Sequence, residues 1–214
     1  MKDLGTYRKS YEKSELIESD IPSNPLDLYN KWFQEVEQFG GVEEVNAMTV
    51  ATIGLDGFPK SRIVLLKQVI DTGFVFYTNY NSEKGKSLVA NPKAVFSFFW
   101  PNLERQVIIK GLVEKISVAD STLYFNSRPT GSQLGALVSP QSEVIPNRNF
   151  LESKLDQLTA QYKNQTIPKP ENWGGFVLIP ISFEFWQGRA NRLHDRIRYQ
   201  IQSNKSWKTE RLAP

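Results

Sequence analysis

The sequence predicts a mainly β chain of the α+β kind: a barrel of short strands with helices covering its openings or edges. Three observations carry this expectation. Some seven to nine short segments alternate apolar and polar residues or run apolar throughout, as strands do. Turn signals such as Asp56-Gly57 and Asp71-Thr72-Gly73 separate neighbouring segments at hairpin spacing. Helical stretches do not alternate regularly with the strands, which disfavours a doubly wound parallel sheet. The chain holds no internal repeat and no low-complexity tract.

Residues 1–24 are polar, charged and weakly patterned, and read as a flexible arm preceding a single domain over 25–214. A helix opens with Asn24 as cap and Pro25 in the first turn. Leu26, Tyr29, Trp32, Phe33 and Val36 recur at helical spacing until Gly40-Gly41 stops it. The period then changes. MTVATIG (48–54) and KSRIVLLK (60–67) form a hairpin, followed by strands at FVFYTN (74–79), AVFSFFW (94–100) and RQVIIKGLVEKI (105–116). Ser117 and Asp120 suit a capping box for a helix to about Asn126, and Asn149 with Glu152 suits another carrying Leu151, Leu155, Leu158 and Tyr162. After the linker NQTIPKPEN come four more strands, at GGFVLIP, ISFEFWQG, RLHDRIRYQ and SWKTERL.

Composition excludes several chemistries. The chain of 214 residues has no cysteine and one histidine, so disulfides, thiolate ligands and cysteine nucleophiles are absent and a zinc site is disfavoured. A serine–histidine–acid triad would have to use His194, crowded by arginines that oppose its protonation. A net charge of +3 is mild for a nucleic-acid binder. The N-terminus lacks an apolar signal region and no run approaches membrane-spanning length, so a soluble cytoplasmic protein with neither membrane nor nucleic-acid partner is expected.

Positive charge is nevertheless concentrated. RANRLHDRIRYQ (189–200) holds four arginines and the lone histidine. As a strand it would set Arg192, His194, Arg196 and Arg198 on one face, either to meet an anion or as a solvated edge that discourages aggregation. EKGKS (83–87) ends like a phosphate-binding loop, but Tyr80 stands where that motif needs glycine, so nucleotide hydrolysis is rejected. Lys84 and Lys86 still lie near a helix start that can hold a phosphate. RIVLLK places Arg62 and Lys67 at the ends of an apolar strand, as rim charges or ligands. Tyr124, Arg128 and Ser132 recur every four residues, so an uninterrupted helix would align three donors, although Pro129 and Gly131 break it. No dinucleotide fingerprint appears. Phosphate-binding groups on three segments, without a nucleophile or metal set, favour a site where an organic cofactor carries the chemistry.

RIVLLK, FYTN, LERQV, YFNSRP, SQ-GA-VS-QS, FWQG, RLHDR and the terminal RLAP occur in an order and spacing that resemble the pyridoxine (pyridoxamine) 5′-phosphate oxidases, from about Asp20 to Pro214. The resemblance implies an FMN-binding split β-barrel with flanking helices, acting as a homodimer with both sites at the subunit interface. It implies oxidation of pyridoxamine or pyridoxine 5′-phosphate to pyridoxal 5′-phosphate, with O2 reduced to H2O2. Carried over by motif, FMN contacts fall on Arg62, Ile63, Val64, Leu65, Leu66, Lys67, Tyr77, Thr78, Lys84, Gln106, Gln141, Ser142, Trp186 and Arg196. The substrate phosphate falls to Lys67, Tyr124, Arg128 and Ser132. Arg192 and His194 would face the pyridine ring and its reacting substituent. Tyr11 and Arg8, in an R-x-x-Y arm, would cover the site. The resemblance is imperfect at Glu83, where a cation is usual, and at Val45, where proline is common. The nearest rival is a related split-barrel flavin oxidase of the phenazine-pathway type; a polyanion-binding module is a more distant one.

Overall fold

The computed structural model describes residues 2–214. Nine antiparallel strands form one curled sheet: β1 (Ala47–Ile53), β2 (Pro59–Leu65), β3 (Gln68–Ile70), β4 (Gly73–Asn79), β5 (Lys93–Trp100), β6 (Arg105–Lys115), β7 (Trp173–Gln187), β8 (Asp195–Ile201) and β9 (Trp207–Arg211). Five helices flank it: α1 (Pro25–Phe39), α2 (Glu83–Ala90), α3 (Val118–Ser127), α4 (Thr130–Val138) and α5 (Arg148–Gln161). None is long and apolar enough to cross a membrane.

The main path runs β2-β1-β5-β6-β7-β4-β3. Its two end strands, β2 and β3, are separated in sequence only by Leu66 and Lys67. The path therefore returns on itself there: the Leu66 N–H donates to the Asn46 carbonyl at 2.8 Å, and the Lys67 N–H to the Val75 carbonyl at 2.9 Å. Lys67 sits at the seam of the barrel. The short β3 was not foreseen from the sequence, because Gln68–Ile70 is too brief to show a period.

GGFVLIP and ISFEFWQG form not two strands but one, β7. Its first half pairs with β4 and its second with β8, while β6 follows its length. The register shifts between Lys110 and Gly111, opposite Pro180. Proline cannot donate to the ladder, and a Cβ on Gly111 would stand 2.3 Å from the Ile179 carbonyl oxygen. This bulge lets one strand serve both limbs of the sheet.

Period-two burial fills the interior with Met48 and Val50, with Phe96, Phe98 and Trp100, and with Val107 and Ile109. Helix α1, capped by the Asn24 side chain, buries Leu28, Tyr29, Trp32 and Val36 on this core. Trp32 meets Phe185 edge-on at 5.3 Å, and Tyr29 meets Phe74 at 4.9 Å. A second apolar cluster of Phe125, Leu134, Ile167 and Trp173 lies beneath α3 and α4. Helix α5 is capped by Asn147 rather than Asn149: its side chain accepts from the Phe150 N–H, so the helix starts two residues earlier than expected.

The later part of the N-terminal arm is tied to the sheet. Leu16 is buried, the Tyr199 hydroxyl donates to the Pro22 carbonyl, and Arg211 pairs with Glu18.

Candidate active site

A cleft of about 710 Å³ opens at the barrel seam, walled by β2, β4, the start of α2 and the α3–α4 corner. Ser82 caps α2, accepting from the Gly85 N–H and donating to the Asn79 carbonyl. That anchorage turns Lys84 inward, where it is buried with its Nζ 3.4 Å from both Thr78 Oγ1 and Gln141 Oε1. No carboxylate neutralises it at contact distance among the described residues. Burial first, and then the Arg62 charge, hold its pKa below the usual lysine range. One edge of the Arg62 guanidinium is held by Val50 O, Thr52 Oγ1 and Lys60 O, and burial lowers its pKa too. Two desolvated cations thus face one hollow.

Glu83 does not fill it. Its carboxylate is bound by Lys60, which also pairs with Asp56 at 3.0 Å, and it stands 4.0 Å from Arg62. The unusual carboxylate is therefore charge-paired beside the cradle.

The opposite wall is aromatic. Tyr77 and Tyr124 stack at 3.8 Å, and Trp173 lies parallel to Tyr77 at 5.5 Å. Burial, reinforced by Tyr124, pushes the Tyr77 phenol up to about 12, so it remains a donor across the neutral range. Tyr124, Arg128 and Ser132 all reach the cleft, but not from one helical face. α3 ends at Ser127, Arg128 is its extended C-cap, and α4 begins after Pro129. Proline forbids the continuous helix, and the corner converges the three side chains instead. The Arg128 guanidinium lies over Trp173, and its Nη1 is buried without a hydrogen-bond partner. A buried orphan donor of this kind fits a ligand anion.

Of the RIVLLK run, Arg62, Ile63, Val64, Leu65 and Lys67 line the cleft, whereas Leu66 is turned into the core. Gln141 lines it, and Ser142 lies in the adjoining hollow with Lys60 and Lys84. Trp173 and Asn79 also line it. Neither stands among the expected site residues: Trp173 falls between the linker and the GGFVLIP strand, and only its packing against Phe125 of α3 reveals its role.

The remaining expected residues form a second group. Gln106, Trp186 and Arg196 are direct cross-strand neighbours on β6, β7 and β8. Trp186 is thirteen positions along β7 from Trp173 in the cleft wall, a contour of roughly 40 Å. Here the expected strand over RLHDR is corrected. Ala190–Arg192 is a short helical turn with Asn191 and Arg192 at φ 56° and 62°, and β8 begins only at Asp195. Two consecutive left-handed residues cannot continue a pleat, so Arg192 and His194 do not share a strand face with Arg196. The turn closes on itself: the Arg189 N–H donates to His194 Nδ1 at 3.0 Å. Arg196 and Arg198 do share the outer face, and there they meet Glu184 and Glu210. Tyr11 packs on this group, 5.7 Å from the rings of both Trp186 and His194. Arg8 is exposed, bonded to the Gly5 carbonyl.

Residues 33–162 match the pyridoxamine 5'-phosphate oxidase family, and 173–214 match the pyridoxine 5'-phosphate oxidase C-terminal dimerisation region. A pyridoxine/pyridoxamine 5'-phosphate oxidase of Flavobacterium johnsoniae is 64% identical over the whole of both chains. The chain belongs to the pyridoxine/pyridoxamine 5'-phosphate oxidase family. A Leptospira interrogans oxidase of the same name is 51% identical over 99% of this chain and 98% of its own. Among solved structures, PhzG from Burkholderia lata, in complex with tetrahydrophenazine-1-carboxylic acid, superposes with a TM-score of 0.86 at 28% identity, covering 93% of this chain and 98% of that one. An FMN-binding, pyridoxamine 5'-phosphate oxidase-related protein from Nostoc punctiforme shares the fold, with a TM-score of 0.71 at 16% identity, covering 89% and 98%. The split barrel read from the sequence is thus the fold of this oxidase family, and the chain is one of its enzymes.

Proposed function

We propose that this oxidase converts pyridoxamine or pyridoxine 5′-phosphate to pyridoxal 5′-phosphate at an FMN held in the seam cleft, in a homodimer whose sites are completed across the interface. The observation that carries the reading is the cleft's set of desolvated, uncompensated cationic groups, Lys84 and the orphaned Arg128 Nη1. They suit two phosphates, one on each side. Arg62 and Lys84 would hold the FMN phosphate, with Thr78 and Gln141 as neutral partners. Lys67, Tyr124, Arg128 and Ser132 would hold the substrate phosphate.

FMN, when bound, supplies the acceptor for hydride leaving substrate C4′ and passes two electrons to O2, giving H2O2; the amine substrate also takes up water and releases ammonia. The chain's own contribution is placement. Tyr77 and Tyr124 form a flat wall against which planar rings lie. Because His194 Nδ1 accepts from Arg189, the neutral ring carries its proton on Nε2, which is left free to donate and so to orient the substrate. Arg192, on its exposed turn, would clamp the substrate. The Trp186 group and the cleft lie on different limbs of the sheet, which supports completion of each site by the partner's copy.

The likeness to PhzG raises a second substrate class, the phenazine precursors, and the phosphate-fitting corner argues against it. The test is a visible spectrum of the FMN-supplemented protein, taken anaerobically before and after pyridoxine 5′-phosphate. Bleaching that reverses on admitting air, with pyridoxal 5′-phosphate formed, is the expected result. Bound flavin that stays oxidised would move the proposal to another substrate. An absence of bound flavin would overturn it.

A further inference from the structure

Glu104 occupies the turn between β5 and β6, in the left-handed conformation at φ 57° that non-glycine residues rarely adopt. Its side chain is 2% exposed, yet none of its partners comes from the barrel. Oε2 accepts the backbone N–H groups of Glu12 at 2.8 Å and Lys13 at 3.1 Å, and Oε1 pairs with Lys9 at 3.0 Å. Among the described residues every partner of this carboxylate lies in the N-terminal segment. The Glu104 carbonyl meanwhile accepts from the Gly188 N–H at 2.8 Å and from Gln187 Nε2 at 3.3 Å. One residue thus holds the arm with its side chain and the entrance to the Arg189–His194 turn with its backbone.

Tyr11 directly precedes the two captured amides. Its ring lies on Gly188, where a Cβ would come within 2.8 Å of Tyr11 Cγ, and beside Trp186 and His194. Among the described residues, the partners that offset the burial of this carboxylate are those of the arm, while its backbone holds the left-handed turn.

We propose that Glu104 is the positioning residue of the arm: it seats Tyr11 on Gly188 against His194 and so closes the substrate side of the site. This rests on the proposed function for its effect on turnover, but not for its effect on the arm. The test is Glu104→Gly in the full FMN-loaded chain; glycine accepts the left-handed backbone, so the turn is kept while the carboxylate is lost. Amide exchange across residues 9–16 is expected to accelerate at least about tenfold, and KM for pyridoxine 5′-phosphate to rise by a similar factor while the FMN Kd stays unchanged. Glu104→Gln, which keeps an acceptor oxygen, should recover part of both effects. Exchange as slow as in the unaltered chain would overturn the proposal. So would a freed arm with KM unchanged. Should the oxidase reading itself fail, the exchange comparison, made without FMN, would still decide whether Glu104 holds the arm.

Discussion

The guanidinium of Arg128 lies 4.7 Å from the centre of the Trp173 ring, with Nη1 buried and unpartnered. A planar cation fixed by stacking and missing one acceptor is preorganised for a bidentate anion. Arg128→Lys keeps the charge but loses the plane and the fork. KM for pyridoxine 5′-phosphate should rise by about 10-fold to 100-fold, the worth of a charged hydrogen bond, with a smaller change in kcat. Steady-state kinetics at saturating FMN checks this.

Lys84 should behave oppositely in the free and loaded protein. Lys84→Met removes a buried cation, so FMN affinity should fall about tenfold or more, read by flavin fluorescence. The FMN-free chain should be no less stable, because the cost of burying that charge disappears. The sign with pH follows. A lysine whose folded pKa lies below its unfolded one binds fewer protons when folded, so its penalty is relieved as pH rises towards the ordinary lysine range. The stability difference between Lys84→Met and the unaltered chain should shrink over that alkaline window, measured by urea unfolding without FMN.

At the β6–β7 bulge, Gly111→Ala would press a methyl group on the Ile179 carbonyl. A loss of about 1–3 kcal/mol is expected, visible as a lower urea midpoint with unchanged m-value.

If each site draws the cleft from one chain and the Trp186–His194 group from another, Arg128→Ala and Arg192→Ala should complement. Each alone should be strongly impaired. Unfolded together and refolded, the mixture should regain roughly a quarter of the unaltered activity, as random reassociation in a two-fold dimer requires. No gain over the separate variants would place both groups in one chain's site.

Much of the molecule was legible before folding. Alternation in AVFSFFW and RQVIIK placed β5 and β6 almost to the residue, since period-two burial is a local consequence of the pleat. Asn24 and Ser117 declared their helix starts through side-chain chemistry alone. At α5 the local signal misleads: Asn149 reads as the cap, whereas the Asn147 side chain accepts the Phe150 N–H. The Arg192 face failed for a related reason. Alternation assumes a strand, and nothing in RLHDR announces that Arg192 follows Asn191 into the left-handed region.

By itself the sequence determined most residue types of the site, most of the strands that carry them, and, by their order, the oxidase family. Tertiary structure alone decided that β2 and β3 meet at Lys67 to close the seam, that Pro129 turns a helical row into a corner, and that Trp173 backs Arg128. It also decided that Glu83 is spent on Lys60 and Glu104 on the arm. The division has one physical cause. Periodicity and capping depend on neighbours in the chain, whereas desolvation, stacking and charge pairing depend on neighbours in space, which no local pattern records.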